Sequence, residues 1–201
     1  MGEMKRITHH IGGSYWNGKS ERTSDVYNPA TGKVTAKVDL ASAAIVDHAV
    51  DIASKAHSEW RNASLAKRVQ VLFSFREILN ARKEEVAKLI TAEHGKVLSD
   101  ALGEVTRGME VVEFACGIPH LLKGSYSEGA STSIDVYSIR QPLGVCAIIS
   151  PFNFPAMVPM WFFPIAIAAG NSVIIKPSEK DPCPANLIAE MWKEAGLPDG
   201  V

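Results

Sequence analysis

The stretch Val145-Cys146-Ala147-Ile148-Ile149-Ser150-Pro151-Phe152-Asn153-Phe154-Pro155 sets a polar amide between two aromatic rings and two prolines, directly after an apolar run with the length of a buried strand. A second such run, Ser172 to Ile175, leads into Lys176-Pro177-Ser178-Glu179-Lys180. Between the two, Met157 to about Ala169 reads as a helix bent near Pro159 and Pro164. Strand, crossover helix and strand at this spacing predict a parallel unit, and in open parallel sheets ligands gather at the carboxyl ends of the strands. Both chemically unusual groups, Ser150 to Asn153 and Lys176 to Lys180, fall at such ends. An amide buried without a partner costs about 1–3 kcal/mol, so Asn153 is expected to be buried against a ligand. A further helix, Ala185 to Ala195, closes at Gly196.

No charged residue lies between Arg140 and Lys176, a span long enough to cross a bilayer. Pro142, Pro151, Pro155, Pro159 and Pro164 interrupt it too often for one continuous helix, so it is read as protein core and no membrane partner is expected. Over the 201 residues, 21 basic and 22 acidic side chains balance to a formal charge of −1. That leaves no field for nucleic acid and favours small neutral or singly charged partners. The length suits one domain or a large piece of one. Cys116, Cys146 and Cys183 are far apart and odd in number, and the histidines are scattered apart from the neighbours His9 and His10, so no metal site is expected. Lys5 and Arg6 precede no apolar segment, which argues against a secretory signal and for the cytoplasm.

Upstream, Tyr15-Trp16-Asn17-Gly18 and Asn28-Pro29-Ala30-Thr31-Gly32 read as hairpin turns, the second followed by alternation through Val34, Ala36 and Val38. Ser42 is a good N-cap for a helix with Ile45, Ala49, Ile52, Ala53, Ala56 and Trp60 on one face. Ser64 opens a second helix through Leu79, and a third runs from about Lys83 to His94 and stops at Gly95. A fourth spans Ser99 to about Gly117, with Leu102, Val105, Met109 and Val112 inward. Gly124 to Ser133, rich in glycine and serine, reads as a linker. It leads to a strand from Ile134 to Ile139 that needs a partner from later in the chain or from another subunit. The chain thus divides into a hairpin and helical region over residues 1–125, a linker and strand over 126–142, and an α/β core over 143–201.

Few residues in the helices carry chemistry. His94 beside Glu93 reads as a cation at a helix carboxyl end rather than as a base. Arg107 shares its helix with Glu104, Glu110 and Glu113, which leaves open a surface ion pair or a bidentate grip on a substrate carboxylate. Cys116 and Cys146 sit on apolar faces, where thiols are inert. Cys183, between Pro182 and Pro184 at a helix start, could have a lowered pKa but has no paired base.

Together these residues resemble the aldehyde dehydrogenase superfamily. Pro151 to Pro155 is similar to its proline, aromatic, asparagine, phenylalanine, proline signature, and Lys176-Pro177-Ser178-Glu179 to its lysine, proline, small, glutamate signature at the matching distance. Asn28 to Gly32, Glu93 to Lys96 and Leu143 to Val145 also fit, so the resemblance covers nearly the whole chain. Phe152 in place of the commoner tryptophan, Arg107 in its helix, and the run Pro155 to Trp161 most resemble the methylmalonate-semialdehyde branch.

The resemblance implies an α/β fold with a Rossmann-type parallel sheet, incomplete here, an amino-terminal helical and hairpin region, and an oligomerisation strand. It implies that Asn153 donates its amide N–H to the oxyanion formed when a cysteine attacks an aldehyde. Lys176 and Glu179 would hold the adenine-side ribose diol of NAD, the carboxylate repelling the 2′-phosphate of NADP. Ser150, Phe152 and Lys180 would also contact the cofactor; their plainer readings are a turn, core packing and a solvated charge. Arg107 would grip the substrate.

For the intact enzyme the implied reaction is NAD-dependent oxidation of methylmalonate or malonate semialdehyde to an acyl-coenzyme A with loss of carbon dioxide, in a homodimer or homotetramer. The family's nucleophilic cysteine lies downstream of both signatures, so this chain is expected to be an inactive amino-terminal portion. A hydrolytic semialdehyde dehydrogenase and a non-catalytic nucleotide-binding or docking module are the alternatives.

Overall fold

The computed structural model describes residues 4–201. Strands β1 (Lys5–Ile7), β4 (Arg22–Asn28) and β5 (Lys33–Leu40) form a sheet in the order β1-β5-β4, with β1 parallel and β4 antiparallel to β5. Between β1 and β4, β2 (His10–Ile11) and β3 (Ser14–Tyr15) make a small hairpin that turns at Gly12 and Gly13, both in the left-handed region, rather than at Trp16 to Gly18. The expected turn at Asn28 to Gly32 does join β4 to β5, and the Asn28 side chain accepts from the Ala30 amide. Ile7, Val26, Ala36 and Val38 form a minor core under this sheet.

Helix α1 (Ala43–Trp60) is capped by Ser42, whose hydroxyl accepts from the Ile45 amide. Helix α2 (Leu65–His94) is capped by Ser64 and ends at Gly95 with φ of 85°. It is one helix, where the sequence suggests a break near Leu79. The charged run Arg82 to Glu85 contains no breaker; Arg82 pairs with Glu85 and with Glu194, so this is the solvated face of a continuous rod. Helix α3 (Leu98–Cys116) follows, then the short α4 (Ile118–Leu121).

Residues read as a linker instead form β6 (Tyr126–Ser131), paired antiparallel with β7 (Ile134–Tyr137). The partner of β7 therefore comes from the preceding chain. Asp135 holds the hairpin, accepting from the Tyr126 hydroxyl at 2.6 Å and the Gly129 amide at 2.9 Å across an irregular register. Every residue of both strands is exposed, including Tyr126, Ile134, Val136 and Tyr137.

Strand β8 (Val145–Ile149), helix α5 (Met157–Ala168), strand β9 (Ser172–Lys176) and helix α6 (Cys183–Glu194) complete the fold. β8 and β9 are parallel, with Ile149 opposite Lys176. Ile148, Val173 and Ile175 pack on the main core, but Ala147 is exposed and Ile149 is 79% exposed, so β8 is covered less than its apolar composition suggests. At the centre of the main core the Phe75 and Trp192 rings stack at 3.7 Å, and Phe163 meets both edge-on, joining α2, α5 and α6. Among the described residues, no helix is long and apolar enough to cross a membrane, and no group of three or more His, Cys, Asp or Glu side chains is gathered to hold a metal.

Candidate active site

The parallel pairing of β8 and β9 brings their carboxyl ends side by side, and the Ser150 amide donates to the Lys176 carbonyl at 3.1 Å. Ser150 itself is buried, and its hydroxyl has no partner among the described residues. Phe152 bridges the two loops: its ring lies 6.3 Å from that of His94 on one side, and Lys180 Nζ stands 4.2 Å from its centroid on the other. The ring is half exposed, so it is a wall rather than core packing.

Asn153 is exposed, against the expectation of burial, because it sits on the loop beyond the strand and not in it. Its side chain has no hydrogen bond among the described residues, while its carbonyl accepts from Lys96 Nζ at 3.1 Å.

Beneath this loop lies a pair that the sequence reading did not single out. Glu104, fully buried in α3, accepts from the Ala156 and Met157 amides through Oε1 at 2.9 and 3.1 Å and pairs with Lys96 through Oε2 at 2.5 Å. Helix α5 begins at Met157 with Ala156 in the cap position, which offers no side-chain acceptor. Glu104 supplies the missing cap from a neighbouring helix, placing negative charge at the positive end of the α5 dipole.

A signal was present in the sequence. The inward face of α3 runs through Ala101, Glu104, Val105, Gly108, Met109, Val112 and Ala115, so a carboxylate interrupts an otherwise small and apolar stripe. Leu102, placed on that face by periodicity, is only half-buried.

Arg107, one turn along α3, is exposed and points toward the same loop: its Nε donates to Met157 Sδ at 3.4 Å, and its guanidinium carbon lies 6.0 Å from the Phe154 centroid. Two of the three acids expected near it are otherwise engaged, and Glu110 makes no ion pair among the described residues. Glu104 is held by Lys96 and Glu113 by Arg76 at 2.8 Å, and no carboxylate pairs with Arg107 among the described residues.

On the β9 side, Lys176 Nζ lies 3.6 Å from Glu179 Oε2, and both side chains are exposed. Glu179's own backbone amide, and then Lys176, hold its carboxyl below the usual range, so it stays ionised. Both residues line a cleft of about 590 Å³ between α1, α6 and the end of β9, with Ile45, Ile174 and Ile188 among its apolar walls. Neither Asn153 nor Arg107 lines this cleft, so the two groups of candidate residues face different spaces.

Burial pushes the Cys116 and Cys146 thiols above their ordinary value. Cys183 is pushed up to about 12 by burial and by Glu93, which accepts from its amide at 3.0 Å; the helix start therefore does not activate this thiol. His94 is lowered by burial and by Lys96, so it is a neutral ring behind Phe152 rather than the cation expected at a helix end.

A model of the aldehyde dehydrogenase family matches residues 15–201. The chain is 50% identical over 193 residues to the malonate-semialdehyde dehydrogenase of Pseudomonas aeruginosa, covering 96% of this chain and 39% of that protein. It is 47% identical over 196 residues to the acylating, mitochondrial methylmalonate-semialdehyde dehydrogenase of Arabidopsis thaliana, covering 98% and 32%. Its fold superposes with a TM-score of 0.97 on a Sinorhizobium meliloti 1021 protein assigned as a methylmalonate-semialdehyde dehydrogenase and complexed with NAD, at 47% identity over 100% of this chain and 41% of the other. The chain thus spans about 40% or less of the length of these relatives. The parallel pair with its two loops, the asparagine at one strand end and the lysine–glutamate pair at the other, matched from residue 15 onward, place this chain in the aldehyde dehydrogenase family.

Proposed function

We propose that this chain forms the first part of the nucleotide-binding region of a NAD-dependent dehydrogenase for malonate or methylmalonate semialdehyde, in which the acyl group passes to coenzyme A with loss of carbon dioxide. The observation that carries the substrate class is the unpaired Arg107 guanidinium beside the Asn153 loop. A planar fork of donors without an internal acid partner suits a carboxylate, and the aldehyde end of a short semialdehyde would then reach Asn153. Asn153 donates its amide N–H to developing negative charge without changing protonation state.

Lys176 and Glu179 fit a ribose diol, one as donor and the other as an ionised acceptor beside an apolar cleft, and the fixed negative charge disfavours a 2′-phosphate. When bound, NAD supplies the oxidant of the reaction. Phe152, backed by His94 and covered by Lys180, forms an aromatic wall at the neighbouring strand end, outside that cleft, and with the buried Ser150 is assigned to further contacts with the cofactor. The name of the Arabidopsis relative, acylating, and its likeness to this chain support a thiol acceptor, which needs less help from a base than water does. The exposed β6–β7 hairpin, with apolar side chains on a projecting ribbon, is assigned to pairing with another subunit in a dimer or tetramer.

Three measurements test the reading. In the longer enzyme carrying this sequence, Arg107→Met should raise KM for malonate semialdehyde about tenfold or more, the scale of a lost charge-assisted pair, and leave KM for propanal unchanged. Equal effects on both substrates would remove the carboxylate grip. Added coenzyme A should raise turnover of the same enzyme; indifference would favour hydrolysis. With all three thiols pushed upward, the purified 201-residue chain should form no NADH from aldehyde.

A further inference from the structure

We infer that Lys96 and Glu104 are positioning residues for the Asn153 amide, a buried clamp that sets where the oxyanion donor points; this rests on the oxyanion reading of Asn153 given above. Replacing a buried ion pair with packed apolar side chains is often neutral or stabilising, so beyond the cap that Glu104 gives α5 the fold alone gives little reason to keep a charged pair at this place. The bonds of this pair show a more specific task. Lys96 Nζ donates to the Asn153 carbonyl at 3.1 Å, and Glu104 Oε1 takes the Ala156 and Met157 amides at 2.9 and 3.1 Å. Residues 153–157 are therefore gripped at both ends by two side chains that are themselves joined at 2.5 Å.

Phe154, between the two grips, lies under the same ammonium, with its ring centroid 4.2 Å from Lys96 Nζ. The Asn153 side chain has no hydrogen bond of its own among the described residues, so its aim follows from its backbone, and the Lys96 bond anchors that backbone. The clamp is rooted in firm elements: Lys96 follows the Gly95 cap of α2, and Glu104 stands on the buried face of α3. Arg107 is one turn further along α3. A single helix thus fixes the oxyanion donor through Glu104 and carries the proposed carboxylate grip.

Lys96 does not act on substrate itself. Its ammonium is almost fully buried and committed to Glu104, the Asn153 carbonyl and the Phe154 ring.

A double-mutant cycle in the longer enzyme separates positioning from general structure. Glu104→Gln keeps the shape and a carbonyl acceptor but removes the charge that holds Lys96. It should lower kcat by about 10- to 100-fold, a fraction of the loss for a missing oxyanion donor, with the NAD dissociation constant, read by cofactor fluorescence, within about twofold. In an Asn153→Ala background the same change should alter kcat by less than about threefold, because the group it aims is gone. An equal loss in both backgrounds would overturn the clamp while leaving the oxyanion reading intact, as would an unchanged kcat for Glu104→Gln. Full activity of Asn153→Ala alone would remove both. Lys96→Met provides a second cycle, and Lys96→Arg a third if the methionine variant does not fold; in each, an effect on kcat that persists without Asn153 counts against the proposal.

Discussion

Asn153 and Glu179 stand at the ends of neighbouring strands and face different spaces, so single substitutions should separate their effects. Asn153→Ala in the longer enzyme is expected to lower kcat by about 10²–10³, the range seen when one oxyanion donor is removed, with little change in NAD affinity. Glu179→Ala should do the reverse: loss of a charged acceptor for a diol weakens NAD binding about tenfold or more and narrows the preference over NADP, while kcat at saturating cofactor stays near its original value. Equilibrium titration with both cofactors, alongside steady-state rates, reads both outcomes. The place of these residues, just past the carboxyl ends of two parallel strands, was legible in the sequence because each follows an apolar run with a proline beside it. Their surroundings were not. Glu104 and Lys96 meet only after α2 ends, the chain turns and α3 packs under the α5 start, a tertiary arrangement that no local pattern encodes. The exposure of Asn153 has the same origin, since an apolar run gives the extent of a strand but not where the next helix lifts the loop.

At the scale of elements, helix capping was the most readable feature: Ser42, Ser64 and Gly95 each sit where their chemistry predicts. Elsewhere local composition points away from the observed element. A break is expected between Leu79 and Lys83, although the arginine, lysine and glutamate there propagate a helix well, and α2 continues through it. The glycine- and serine-rich composition of residues 124–133 predicts a linker, although a hairpin can be held by one aspartate and a glycine at φ of 62°.

The contact between α3 and α5 carries the site, and it depends on close approach: a Cβ added at Gly108 would lie 2.3 Å from the Met160 terminal methyl and 3.1 Å from its Cβ. Gly108→Val should therefore force the helices apart and destabilise the chain by about 1–3 kcal/mol, the range for overpacking a core, measured as a lower midpoint in urea. An unchanged midpoint would mean that Met160 moves aside without cost.

For the whole molecule, the place where the two cores meet sets the expected pH dependence. Asp181 is 1% exposed at the start of α6, where Cys183 packs on the minor core and Glu93 ends α2. Burial, with Glu93 and Glu104 adding to it against the opposing pull of Ser178 and Lys96, raises the Asp181 carboxyl from 3.8 to about 7. A carboxyl whose folded value lies above its unfolded one favours folding in its protonated form. Its contribution is fully present below about pH 4, is lost as the pH rises toward 7, and is constant beyond. At about 1.4 kcal/mol per pH unit the loss is of the order of a few kcal/mol.

Other groups act in the opposite direction. Burial lowers His9, His10 and His94, so each favours the fold more as the pH rises toward its unfolded value of 6.5. The net curve of the unsubstituted chain is therefore a poor readout of any single group, and the difference between two chains is the useful quantity. Asp181→Asn keeps the shape and cannot ionise. Its stability relative to the unsubstituted chain should rise steadily from pH 4 to pH 7 and then level off. Denaturant unfolding of both chains at closely spaced pH values measures that difference directly. A difference independent of pH would show that Asp181 is already ionised in the fold and finds a partner at the junction of the two cores.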